Sequence, residues 1–115
     1  MVFNKIQIKK LAKEAALKLS AKYPVTAVIL FGSYARGMAS ERSDIDLAFI
    51  SDKFQRMTDY RRSSVLLDII HQINLPEPKD IEPVGLTKKE FENPKKFSLA
   101  SQIKKSGKVV FIKKH

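Results

Sequence analysis

Two short, β-prone runs constrain the fold more than any other feature of the chain. Val25–Phe31 (VTAVILF) is apolar almost throughout and stops at Gly32, while Asp44–Ile50 (DIDLAFI) alternates acid and apolar before turning wholly apolar. Continuous apolar runs of this length fit strands buried on both faces better than helices. Only residues 32–43, breaker-rich from Gly37 to Ser43, join them, so both strands are expected in one core.

The remaining elements arrange themselves around this pair. From Asn4 to Lys22, Ile8, Leu11, Ala12, Ala15 and Leu19 recur at helical spacing and Tyr23-Pro24 supplies a stop. Gly32-Ser33 opens a short helical stretch. Thr58 is placed to cap a helix running to about Asn74, with Leu66, Ile69, Ile70 and Ile73 as its apolar stripe and Arg61 and Arg62 read as a solvated face. Lys79–Leu86 reads as a third strand at an edge or bulge, because Pro83 lacks a ladder donor. Asn93-Pro94 predicts a helix opening, with the helix running through Lys105 to Gly107, and Val109–Ile112 predicts a last strand. The order α-β-(α)-β-α-β-α-β defines an α/β (α+β) fold, a small mixed sheet flanked by helices, as a single domain over residues 1–115.

Composition narrows the function classes. The absence of cysteine excludes disulfide scaffolds, thiolate zinc sites and cysteine nucleophiles. No apolar run is long enough to span a bilayer, and residues 1–10 are too charged for a signal peptide, so a cytoplasmic protein with no membrane role is expected. A net charge of +10 attracts polyanions in general, whether nucleic acid, a nucleoside triphosphate or an acidic partner.

Asp44 and Asp46 lie two apart on a strand, where alternate side chains share a face. Paired carboxylates of this kind suit hard divalent cations in phosphoryl-transfer sites. Spacing alone is a weak signal, since 12 acidic residues in 115 give about one such pair by chance and Asp80/Glu82 and Glu90/Glu92 match it too. Context separates the first pair from the others. It follows closely on Gly32-Ser33, where a glycine allows backbone amides to approach a phosphate and a serine adds a hydroxyl. His71, on the apolar side of its helix, reads as a partly buried structural residue, and Tyr34 and Tyr60 read as core aromatics rather than base-stacking groups.

Gly32-Ser33, ten residues, then Asp44-Ile45-Asp46-Leu47 within LFGSYARGMASERSDIDLAFI resembles the signature of the polymerase β-like nucleotidyltransferase superfamily, above all its minimal nucleotidyltransferases. The likeness is close over Val25–Ile50 and looser to His115. It implies the nucleotidyltransferase fold and transfer of a nucleoside monophosphate, AMP in the first instance, from ATP or another NTP to a hydroxyl, with two Mg²⁺ ions or Mn²⁺. The implied metal ligands and catalytic residues are Asp44, Asp46 and a third carboxylate, Glu82, with Asp80 as the alternative. Glu82 departs from the family's more usual aspartate at that position. Gly32 and Ser33 are implied to cradle phosphates, and Arg36, one turn on, to add charge there. The resemblance also implies a HEPN-domain partner, with this chain as the antitoxin of a toxin–antitoxin pair. A homo-oligomer and RNA are further partners to consider, since a chain this small has no room for an acceptor-binding domain. Two rival readings stand beside it: an inactive module of the same fold that masks a partner or binds RNA, and an unrelated basic nucleic-acid binder.

Overall fold

A computed structural model describes residues 1–114. Its elements are α1 (Lys5–Leu19), β1 (Ala27–Phe31), α2 (Gly32–Ala35), β2 (Ile45–Ile50), a 3-10 turn (Asp52–Phe54), α3 (Asp59–Ile70), β3 (Ile81–Leu86), α4 (Lys88–Glu92), α5 (Leu99–Ser106) and β4 (Lys108–Ile112). The four strands form one sheet in the order β3-β2-β1-β4. β1 runs antiparallel to both β2 and β4, and β2 runs parallel to β3, so the sheet is mixed as expected. A parallel neighbour cannot be reached by a tight turn, and α3 forms the crossover between them.

Alternation along the two central strands divides the core in two. Val28, Leu30, Leu47 and Phe49 face α1 and α3 in the larger cluster, where Ile8, Leu11, Leu19 and Leu66 cover them. Each such fully buried aliphatic side chain contributes about 1.5–3 kcal/mol. Ile29, Ala48 and Ile50 face the other way, toward Ile103 of α5, with Phe91, Val84 and Leu86 packed around them. This second layer is thinner, and it leaves one end of the sheet uncovered for polar residues.

The capping chemistry is local. Asn4 and Gln7 form a capping box on α1, and Thr58 accepts the Arg61 N–H at the start of α3. That helix closes at Ile70, four residues before Asn74, because the chain tightens: the Gln72 and Ile73 N–H groups donate to carbonyls three residues back. His71 is its C-cap and is exposed, so it is not the partly buried residue its stripe position suggests. Tyr60 is also a surface residue, 85% exposed, whereas Tyr34 is half-buried and its hydroxyl accepts the Phe3 N–H at 3.3 Å.

The helix expected over Asn93–Lys105 starts only at Leu99, as α5, and a separate helix, α4, precedes the span. Thr87 and Glu90 form a capping box that starts α4, Asn93 ends it with extended φ, and Phe97 turns the chain with φ 60° before Ser98 caps α5. Asn93-Pro94 therefore lies in the break rather than at an N-terminus. Gly107 does end the last helix.

Pro83 does sit on an edge strand. The outer rim of β3 is closed by α3: Ser63 Oγ donates to the Pro83 carbonyl at 3.4 Å and Arg62 Nη1 to the Gly85 carbonyl at 3.0 Å. Arg62 is thus only 4% exposed, contrary to the expected solvated face. Its Nη1 and Nη2 grip the Glu90 carboxylate at 2.6 and 3.2 Å, and its guanidinium lies 5.9 Å from the Phe54 ring centroid. Among the described residues its Nε has no partner. No helix of the described residues is long and apolar enough to cross a membrane.

Candidate active site

Strand register brings the acidic residues to one end of the sheet. Asp46 lies opposite Phe31, the last residue of β1, and also opposite Glu82 across the parallel β2/β3 pair. Both acids sit near the start of their strands. Asp46 shares a face with Ala48 and Ile50, and Glu82 with Val84 and Leu86, so the two carboxylates rise from the thinly covered face. Asp44 precedes β2 and is half-buried.

Immediately beyond β1 the chain bends at Gly32, with φ +71°. A left-handed backbone disfavours any side chain there, and a Cβ built on Gly32 would fall on Asp46 Oδ2. The bare backbone of the bend and the Asp46 carboxylate are therefore packed directly against one another. Ser33 and Tyr34 follow in the single turn of α2, whose C-cap is the exposed Arg36. The Arg36 N–H donates to the Gly32 carbonyl and that of Met38 to the Ser33 carbonyl, which fixes the turn.

The charges around Asp46 act on it together. Asp46 is raised above its ordinary pKa, first by burial, then by the negative charges of Glu82 and Asp44, with the Arg36 charge working in the opposite direction. Asp46, Glu82, Asp44 and Arg36 thus share one field. Asp80 precedes β3, and its backbone carbonyl accepts the Ile45 N–H at 3.0 Å to begin the β2/β3 ladder. The geometry thus brings Glu82, rather than Asp80, to Asp46.

Among the described residues no three acidic, histidine or cysteine groups are drawn tightly enough together to enclose a cation. The chemistry of the donors nonetheless fits one. Hard oxygen ligands that repel one another, with no ion pair to a basic side chain among the described residues, are what a divalent ion would neutralise. A groove of about 440 Å³ lies further along β3 between Arg62, Val84, Leu86, Pro94 and Leu99. It holds none of these carboxylates, and the site is placed by charge and register rather than by concavity.

Sequence reasoning missed Arg62. The available signal was its position: it stands four residues before Leu66 and eight before Ile70, on the buried stripe of α3.

The mixed sheet thus carries Asp46 on β2 with Asp44 just before it, Glu82 on the parallel neighbour and a glycine bend against Asp46, and the class of protein this chain falls in is that of the nucleotidyltransferases. The chain belongs to the polymerase beta nucleotidyltransferase family, whose model matches residues 13–115. It is similar to two Methanocaldococcus jannaschii proteins named as candidate protein adenylyltransferases. One is 34% identical over 76% of this chain and 82% of its own length, the other 33% identical over the same shares. Among solved structures, a candidate nucleotidyltransferase from Sulfolobus solfataricus shares the fold with a TM-score of 0.64, at 22% identity, covering 94% of this chain and 83% of its own. A toxin–antitoxin structure with AMP-PNP shares it at 0.51 and 19% identity, over 96% and 75%.

Proposed function

We propose that this nucleotidyltransferase moves AMP from ATP to a hydroxyl of a partner protein. The observation that carries the reading is the Asp46–Glu82 register beside the Gly32 bend. The protein-adenylyltransferase names of the relatives support AMP as the group and protein as the acceptor. The toxin–antitoxin neighbour supports a partner of that kind, and we assign this chain the antitoxin role opposite a HEPN-domain toxin.

In this reading the Gly32 amide and the Ser33 hydroxyl hold the β- and γ-phosphates, and Arg36 adds charge that a bidentate guanidinium can place on them. Asp44, Asp46 and Glu82 would hold Mg²⁺ or Mn²⁺, which when bound supplies charge neutralisation on the triphosphate and acidifies the attacking hydroxyl. Glu82, the most exposed of the three, would take the hydroxyl proton. The acceptor oxygen forms a bond to the α-phosphorus as the bond to the β-phosphate oxygen breaks, and pyrophosphate leaves.

The test incubates the protein with α-labelled ATP, Mg²⁺ and the product of the neighbouring gene. Label should appear on the partner and fall by about 10²–10⁴-fold with Asp44→Asn/Asp46→Asn. Label that persists in that variant would sink the assignment. Suppression of the toxin by the unlabelling variant would instead favour a chain that masks its partner by contact.

A further inference from the structure

The two edges of the sheet are treated differently, and the difference points to a docking strand. The β3 rim is plugged by Pro83, Ser63 and Arg62. The outer rim of β4 has no strand, helix or side chain hydrogen-bonded to it among the described residues. Lys113 donates to the Thr26 carbonyl, so by antiparallel alternation Ile112 turns its own N–H and C=O outward. Val109 and Ile112 are 57% and 61% exposed. The strand is bracketed by exposed Lys105, Lys108, Lys113 and Lys114.

We propose that the β4 edge takes up an extended, acidic peptide segment of the acceptor protein as a fifth strand. This rests on the protein-acceptor reading above. Charge selects the occupant: a second copy would bring the same lysines face to face across a chain already at +10, whereas an acidic strand pairs with them. The register also breaks between Val28 and Ile29, leaving Val110 as an extra residue in β4. That bulge shortens the available ladder, so backbone pairing alone is weak and the ionic contribution decides.

Placement links the edge to the chemistry. Lys108 pairs with Leu30, at the end of β1 that leads into Gly32. An added strand would lie three strand spacings, about 14 Å, from β2 and Asp46. About four to five extended residues cover that span. A docked segment therefore holds a hydroxyl-bearing loop near the site at millimolar effective concentration.

The test uses the full chain and four fluorescein-labelled probes: an acidic, valine-rich octapeptide, the same peptide with alternate prolines, its lysine counterpart, and an oligo-U RNA. Anisotropy should show the acidic peptide binding, the proline and lysine versions at least ten-fold weaker, and affinity falling steeply between 50 and 300 mM salt. Amide exchange at residues 109–113 should slow only with the acidic peptide. Ile112→Pro, which removes an outward donor but no bond to β1, should weaken binding at least ten-fold while keeping ATP binding and the melting temperature. The charge-reversed Lys108→Glu/Lys113→Glu protein covers the case in which the proline variant unfolds, and should prefer the lysine peptide. Asp44→Asn/Asp46→Asn should bind the acidic peptide unchanged, which separates failure of docking from failure of the transferase reading. Equal binding of the proline peptide, tighter binding of the RNA with indifference to Ile112→Pro, or peptide-independent self-association that protects 109–113 would each overturn the proposal.

Discussion

Gly32 is where backbone conformation and chemistry meet. Replacing it with alanine forces a side chain into a left-handed backbone and onto Asp46 Oδ2, so the bend must move or the carboxylate must. Gly32→Ala should cost about 1–3 kcal/mol in urea unfolding and abolish nucleotide binding, because the same displacement opens the proposed phosphate cradle. Asp46 supplies a prediction of opposite sign. Its pKa is raised in the fold by burial, Glu82 and Asp44, so the folded state holds the proton more tightly than the unfolded one. Its ionisation weighs against folding once pH climbs through that raised value, and acid relieves it. Asp46→Asn should therefore melt higher than the wild type at pH 7 without divalent ions, with the gap closing toward about pH 4. A gap independent of pH would show that the carboxylates do not repel one another.

Among the elements, α4 depends on one ion pair. Glu90 is pushed up by burial but brought below its ordinary pKa overall by hydrogen bonds from Arg62 and the Thr87 N–H and by the Arg62 charge. Its contribution is present at neutral pH and disappears as acid protonates it. Glu90→Gln leaves the Arg62 guanidinium buried without a counter-charge and should cost about 2–3 kcal/mol in chemical denaturation. The double variant Arg62→Met/Glu90→Gln should lose less, because the uncompensated charge goes with it. These two residues also mark the border of what was legible in the sequence. The four strands, α1 and the start of α3 follow from local periodicity, which depends on near neighbours. Arg62 and α4 did not, although Thr87-x-x-Glu90 is a capping signature. The Asn93-Pro94 signal was the more conspicuous start, and a paired arginine is surface-like until Gly85, across the fold, offers its carbonyl. Which of Asp80 and Glu82 meets Asp46 was likewise a matter of register between strands far apart in the chain.

For the whole molecule, divalent ions and nucleotide should act as a clamp. Mg²⁺ with a non-hydrolysable ATP analogue should raise the melting temperature of the wild type by several degrees and leave Asp44→Asn/Asp46→Asn unmoved in differential scanning fluorimetry, following ordinary ligand linkage. Excess positive charge should make the uncomplexed chain more stable in moderate salt. The parallel seam between β2 and β3 carries a consequence in time. Asp46 reaches Phe31 through the tight local connection of residues 32–44, but Glu82 arrives only after residues 51–80 have looped over the sheet. Contacts so remote in sequence close late in folding. A chain whose β2–β3 seam has not yet closed is therefore expected to hold Asp46 and Glu82 apart, and pulse-labelled amide exchange during refolding should show β3 protected after β1 and β2.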